Sequence, residues 1–243
     1  MSLDVPVQPP QGHRVVPRQL WWALIAVALL TAGALGFAGG VVQWWEPCFG
    51  AGFDSTECVT RQSVPSDLSG FDVLPGDQRP AAIMLASSTL VVGLLWFSLL
   101  LIGGKSVLVR VVACLGGAYT IARVLPDLLW YTPGSVLFHD DQILTLLNEL
   151  GLIIVPGLIV ALLPAASMWE RDEMGRLGLL VLGLAAAASP ISPFVEYSFW
   201  MMIYASEGTP QPGFGWLQSA MYTVCGVGIL YLTLRRKAVQ LAP

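Results

Sequence analysis

The stretch LWWALIAVALLTAGALGFAGGVV, from Leu20 to Val42, contains 23 residues and no charged side chain. A hydrocarbon core about 30 Å thick is crossed by roughly 20 apolar residues in an α-helix. Lipid offers backbone amides no hydrogen-bond partner, so a helix is the economical way to cross it. The stretch therefore predicts a membrane-spanning helix and indicates the class of the whole chain.

Further apolar stretches of similar length follow along the 243-residue chain. The composition agrees, because 55% of the residues are hydrophobic and only 12% are charged, against about 25% charged in ordinary soluble domains. The sequence predicts an all-α, polytopic membrane helix bundle with six transmembrane helices in one domain, residues 20–234. The predicted spans are about 20–42, 81–102, 107–131, 143–163, 177–205 and 214–234.

The fifth predicted span, 177–205, is too long for a simple crossing and contains Ser189-Pro190-Ile191-Ser192-Pro193. Proline removes a backbone donor and clashes with the preceding helical turn. We therefore expect a kink or a short unwound stretch there. The part from Phe194 to Ala205 either continues the span or lies in the membrane interface.

The positions of Lys and Arg predict the orientation, because these residues are retained on the cytoplasmic side. Nine of the twelve flank the spans on one side, two lie on the other, and Arg123 lies inside a span. The prediction is a multi-pass protein of the plasma (cell) membrane with both termini cytoplasmic (N-in/C-in), a disordered tail at 1–19 and a second tail at 235–243. The nine are Arg14, Arg18, Lys105, Arg110, Arg171, Arg176, Arg235, Arg236 and Lys237, and the two are Arg61 and Arg79.

A different interpretation of the N-terminus stays open. Arg14, Arg18, the apolar run Leu20 to Leu30 and the small residues Ala32-Gly33-Ala34 are also compatible with a cleavable secretory signal. The apolar run continues to Val42 and reaches spanning length, which favours an uncleaved anchor.

Residues 43–80 form the long connection of the chain, and their Pro, Gly, Ser and Asp content predicts an external loop. Cys48 and Cys58 both lie in it, where an oxidising exterior permits a disulfide. Closing so short a loop stabilises the fold by about 3 kcal/mol. Cys114 and Cys225 fall within spans, where free cysteine behaves as a small apolar filler.

The string Trp45-Glu46-Pro47-Cys48, followed after nine residues by Cys58, resembles the W-x2-C-x9-C element of claudin-like four-span proteins. The resemblance covers fourteen residues, lacks the Gly-Leu that precedes the Trp in that family, and sits in a chain with more predicted spans. It implies a stapled external loop, and no function is carried over from it.

Polar residues within the predicted spans form the candidate ligand-binding site, since ionisable groups in a bilayer are costly unless paired or hydrated. Arg123 and Asp127 are four residues apart and so share one helix face. Two interpretations stay open: the residues pin helices together near the outer headgroups, or they line an outward-facing pocket for a small polar solute or ion. The candidate residues are Tyr119, Arg123, Asp127, Tyr131, Asn148, Glu149, Glu196 and Gln218.

Other residues are expected to be structural. The pairs Trp21–Trp22 and Trp44–Trp45 fit the interfacial aromatic belt. The spacing of Gly33, Gly36 and Gly40 predicts close helix packing within the bundle. The mixed-charge segment 170–176 is interpreted as a solvated turn.

The sequence lacks the residues of common catalytic and redox mechanisms. Its two histidines, His13 and His139, lie outside the spans, which excludes bis-histidine haem ligation within the bundle. We predict no cofactor, no metal site, no catalytic residue and no nucleic-acid partner.

The leading functional hypothesis is a non-enzymatic membrane protein that binds or passes a small polar solute or ion. The alternatives are an accessory or scaffold subunit packed against partner membrane subunits, or in a homo-oligomer, and an envelope-lipid-modifying enzyme. The enzyme would need Asp127, Glu149 or Glu196 as a general base.

Overall fold

The structure, a computed structural model, describes residues 18–52, 55–62, 79–102, 106–129, 154, 157–162, 171–188 and 215–241. Every regular element within these ranges is helical. In chain order they are α1 (Arg18–Trp44), a π-helical turn (Trp45–Gly50), α2 (Thr56–Gln62), α3 (Arg79–Leu95), α4 (Ser98–Ile102), α5 (Val107–Leu129), a short helical segment at 157–162, α6 (Arg171–Ala188) and α7 (Trp216–Leu241).

Four helices in the described part of the chain are long and apolar enough to cross a membrane: Arg18–Trp44, Ile83–Leu101, Val107–Leu125 and Trp216–Arg235. They coincide with the first, second, third and sixth predicted spans. The fourth predicted span, 143–163, and the distal half of the fifth lie mostly outside the described residues.

Helix α1 is the centre of the described bundle. It packs along its length between α3 and α7, and α5 packs on the far side of α3. Helix α6 lies against this row, packing mainly on α7 and more briefly on α3 and α5. One continuous apolar core joins these helices, and Leu158 and Leu162 of the short segment are buried in it.

The contact between α1 and α7 depends on glycine. A Cβ atom added at Gly33 would lie 3.0 Å from the carbonyl oxygen of Ser219 and 3.2 Å from the backbone nitrogen of Thr223, so only a glycine permits this approach. The hydroxyls of Ser219 and Thr223 donate to backbone carbonyls within their own helix, at 2.7 and 2.9 Å. The predicted packing role of the glycines is confirmed, with Gly33 facing Thr223, Gly36 facing Ser219 and Gly40 facing Trp216.

The contacts also fix the helix directions. Helix α3 runs antiparallel to α1 and to α5, and α7 runs antiparallel to α1 and to α6, so α1, α5 and α6 share one direction. The contacts that show this are Ser88 with Ala32, Ala81 with Gly39, Gly93 with Thr120, Trp96 with Gly116, Gly183 with Cys225 and Gly175 with Leu232.

A local tightening of the backbone separates α3 from α4. The amide of Trp96 bonds to the carbonyl of Gly93 at 3.3 Å, and that of Phe97 bonds to Leu94 at 3.1 Å, so the turn closes over three residues instead of four. Both rings then lie against the glycine pair 116–117 of α5. The large rings and the small residues are thus complementary parts of one interface.

The two ends of the bundle differ in charge. The start of α1, α5 and α6 and the end of α7 come together in what we call the basic end, whereas Arg61 and Arg79 lie at the opposite, disulfide end. The basic end carries Arg18, Arg110, Arg171, Arg176, Arg235, Arg236 and Lys237.

The predicted disulfide between Cys48 and Cys58 is confirmed, with the two Cα atoms 4.8 Å apart. The hydroxyl of Ser55 accepts a bond from the amide of Cys58 at 3.1 Å and caps α2. The Phe49 ring of the π-helical turn stacks on Trp216, with centroids 5.5 Å apart, and this contact anchors the disulfide-linked region to the start of α7. The region predicted as a loop therefore includes a π-helical turn and a short helix.

The aromatic-belt prediction is wrong for Trp44, which is 1% exposed and packs with the disulfide in a small core. Trp45 is 58% exposed, as a belt residue should be. Adjacent residues point to different faces of a helix, and here the direction of Trp44 is inward.

Gly33→Ala should destabilise the bundle by about 1–3 kcal/mol, because the backbone of α7 blocks the added methyl group. Gly178→Ala is the control, since that glycine has no atom within 4 Å of an added Cβ and should gain up to about 1 kcal/mol from helix propensity. Thermal midpoints of the purified variants in detergent measure both. Equal midpoints for the two variants would contradict the claim that the contact between α1 and α7 depends on glycine.

A thiol titration under denaturing, non-reducing conditions should count two free thiols, Cys114 and Cys225, and four after reduction. Cys48→Ser should lower the free energy of unfolding by about 3 kcal/mol. Four thiols without reductant would reject the bridge.

Candidate functional site

Arg123 lies on one flank of α5 and is half-buried. One turn earlier on that flank is Tyr119, which is 7% exposed and belongs to the continuous core. The outward face of α5 carries the exposed residues Ala118, Ala122 and Leu125 instead. The guanidinium therefore borders the bundle interior.

The depth of Arg123 follows from the contacts of α3. The hydroxyl of Ser88 donates to the carbonyl of Ala32 at 2.7 Å, and Gly93, five residues further along α3, lies against Thr120. Because α3 is antiparallel to both neighbours, Arg123 is within about one turn of the level of Ala32, which is near the middle of α1.

That depth excludes the headgroups at the disulfide end as an easy source of hydration. Trp44, at the disulfide end of α1, is twelve residues beyond Ala32, or about 18 Å at the helical rise. An arginine side chain reaching outward cannot span this distance. The charge must be compensated from within the bundle or by water entering it.

Within the described part of the chain, Arg123 has no hydrogen bond or ion pair. Its partner must come from elsewhere. A guanidinium carries donors only, so that partner has to present acceptor oxygens.

The other predicted site residues are distributed as follows. Asp127 lies on α5 one turn beyond Arg123, and its side chain is outside the described set. Gln218 is not brought next to Arg123: its amide donates to the carbonyl of Ala186 at 3.0 Å and to the hydroxyl of Tyr222, which ties α7 to α6. Tyr131, Asn148, Glu149 and Glu196 lie outside the described residues.

A second polar cluster lies at the basic end, between α1 and α6. Glu173 Oε2 is 2.6 Å from Arg18 Nη2, and Glu173 Oε1 is 4.0 Å from Arg176 Nη2. The Arg176 guanidinium lies 5.3 Å from the ring centroid of Trp22, in a cation–π contact. We call these four residues the ionic latch.

The latch is almost completely buried. Glu173 and Arg176 are each 1% exposed and Trp22 is 0% exposed, whereas the side chain of Arg18 is 51% exposed at the rim. Two cations share one carboxylate, and the aromatic ring takes up part of the remaining charge.

The latch corrects two predictions from the sequence. Residues 171–176 are not a solvated turn, because α6 begins at Arg171 and turns Glu173 and Arg176 inward. Trp22 is not a belt residue, because it packs under Arg176. The signal that could have found the cluster is the three-residue spacing of Glu173 and Arg176, which puts both on one helix face.

Within the described residues, no three His, Cys, Asp or Glu side chains come together in a way that could hold a metal ion. The polar groups of the described residues form hydrogen bonds and charge pairs, and the charged groups within the bundle lie at two depths. Arg123 is near mid-layer, and the ionic latch is at the basic end.

The fold places the chain among all-helical proteins with membrane-spanning helices. Comparison of the chain with protein-family models, with curated proteins and with solved structures gives no match.

Arg123→Leu should leave the free energy of unfolding within about 1 kcal/mol or raise it, because no described partner is lost and a costly charge is removed. Arg176→Leu is the contrast, since it breaks a buried pair and should cost about 3–5 kcal/mol. Thermal or denaturant unfolding in detergent measures both. A large loss for Arg123→Leu would show that this arginine is a structural contact.

Proposed function

We propose that the chain is an integral membrane protein that binds, or allows to pass, a small polar solute or ion in a pocket open to the external side. The observation that carries the proposal is Arg123: a guanidinium at mid-depth, on the buried flank of α5, without an ion pair in the described part of the chain. Charged side chains at this depth are rare and mark the pathways of substrates and ions, which supports a site here.

The pocket would be completed by residues that follow Arg123 in the chain. Asp127 is one turn further out on the same helix face. Glu149 and Glu196 are the other acids in predicted spans, and Tyr131 and Asn148 would add hydrogen-bonding groups. A donor-only guanidinium beside acceptor carboxylates suits a solute that both accepts and donates hydrogen bonds.

The arrangement fits a six-span topology. Helices α5 and α6 run in the same direction, so α5 ends at one face and α6 begins at the other. The predicted fourth span would return the chain across the layer between them. Leu158 and Leu162, buried in the core, support this path.

The orientation is part of the proposal. The gathering of arginines at one end supports a cytoplasmic basic end and an external disulfide end, because cationic residues are retained in the cytoplasm and disulfides form outside it. Both termini are then cytoplasmic and the membrane is the plasma membrane.

A thermal-shift panel tests the function, using inorganic phosphate, a dicarboxylate, a zwitterionic amino acid, a neutral sugar and sodium or potassium ions as probes. A bound probe at about one hundred times its Kd stabilises by about 2.7 kcal/mol, which raises the midpoint by about 5 °C or more for a chain of this size. Arg123→Leu and Glu196→Gln should abolish that shift, and Gly178→Ala should keep it.

The alternatives predict different results. An accessory subunit should co-purify in mild detergent with a different membrane protein in fixed ratio and show no shift with any probe. A lipid-modifying enzyme should turn over lipid substrates and lose turnover when one acid is neutralised. Absence of a shift across the panel would overturn the solute proposal.

A further inference from the structure

We propose that the ionic latch is a gate, which holds α6 against α1 at the basic end and opens to give the mid-depth site access to that side. The inference rests on the proposed function, since a gate at the basic end is useful only if the pocket opens at the opposite face. The contacts that support the gate are those among Arg18, Trp22, Glu173 and Arg176.

The latch joins two units that are held together differently. Helices α1, α3 and α7 interlock through glycine contacts at backbone distance, as between Gly33 and Ser219, and through the Ser88 bond to Ala32. These contacts leave no room for sliding. Helix α6 has no contact of that kind in the described part of the chain.

Helix α6 packs on its neighbours through side-chain ends. An added Cβ at Gly175 would meet only a methyl group of Leu232 at 3.2 Å, and one at Gly178 would meet nothing within 4 Å. Its polar ties are the latch at the start and, further along, the Cys225 contact with the backbone of Gly183 and the Gln218 bond to Ala186. Among these described ties the latch alone holds the start of α6, so its release would let that end swing about the other.

The chemistry of the latch suits reversible opening. Burying charges costs solvation that their mutual attraction only partly returns, so a buried ion pair near water is close to balance between closed and open states. Arg18 already lies half in water at the rim. When α6 moves away, every charge of the latch gains water together, and none is left buried alone.

A gap opened at the basic end would connect to the Arg123 site through the core that α5 and α6 share. Tyr119, next to Arg123, belongs to the same core as Leu180 and Leu184 of α6, and α6 also packs against α5. With the latch closed, Glu173 and Arg176 are 1% exposed, so the described residues leave no water path between α1 and α6 at the basic end.

Cys225 is a native reporter for this motion. It is buried where α1, α6 and α7 meet, opposite Gly183 and Leu29, deeper in the bundle than the latch. In a Cys114→Ala background it is the one free thiol. The experiment measures its reaction with a small cationic, membrane-impermeant methanethiosulfonate, applied to each face in inside-out and right-side-out vesicles.

Arg18→Gln should raise the labelling rate of Cys225 from the basic-end face by about tenfold, because rate follows the open population. Trp22→Phe, which weakens the cation–π contact and keeps the apolar ring, should give a smaller increase at that face. Arg235→Gln is the matched control: an exposed arginine of the same end, outside the latch, whose loss should leave the rate unchanged.

An unchanged rate in both latch variants, or an equal increase from both faces, would overturn the gate. A thermal midpoint of Arg18→Gln far below that of Arg235→Gln would also overturn it, by showing the latch to be a permanent staple. Labelling needs no solute, so this result is independent of the thermal-shift panel that tests the pocket. If the latch variants change the labelling rate and no probe binds, the motion of α6 is supported and the solute site is rejected.

Discussion

The energetic cost of placing charge in hydrocarbon determines the layout of this molecule. It gathers seven described cationic residues at one end of the bundle, and it requires the buried one among them, Arg176, and the mid-depth Arg123 to be compensated in some other way. The apolar spans follow from the same constraint applied to the backbone, whose polar groups must be satisfied within each helix. The hydroxyls of Ser88, Ser219 and Thr223 are each tied to a nearby carbonyl, and the charges set within the described bundle lie at two locations.

A second constraint acts through size. The absence of side chains at Gly33, Gly36 and Gly40 lets α1 approach α7 to backbone distance, and the hydroxyls opposite are small enough to fit. Lipid provides no hydrophobic drive between helices, so this fitted contact supplies the attraction. Helix α6, by contrast, rests on leucine side chains and is fixed at its ends. The bundle thus has a firm part and a part with fewer close contacts, and the polar latch lies on the boundary between them.

Much of the fold could be predicted from the sequence, because hydrophobic length and proline or glycine positions act locally. The span beginning at Leu20, the glycine packing and the Cys48–Cys58 bridge all rest on such local rules. The latch could not be found in this way: Arg18 and Glu173 are far apart in the chain, and a mixed-charge segment is usually solvated. Trp22 and Trp44 were misassigned because their neighbours satisfy the belt pattern equally well, and only the helix phase decides which ring turns inward. Of the candidate site, the bond from Gln218 to Ala186 of α6 could not be predicted from the sequence, because it depends on tertiary packing.

The two deep arginines show why burial alone does not identify a site. Arg176 is the more buried of the pair, and a carboxylate and an aromatic ring face it and balance part of its charge. Arg123 is less buried, lies near the middle of the layer, and has no ion pair within the described residues. Replacing a whole buried ion pair by apolar residues can cost little in stability, whereas removing one partner leaves the other charge buried and uncompensated. This difference between the two side chains is the physical reason to propose gating at the basic end and recognition at mid-layer.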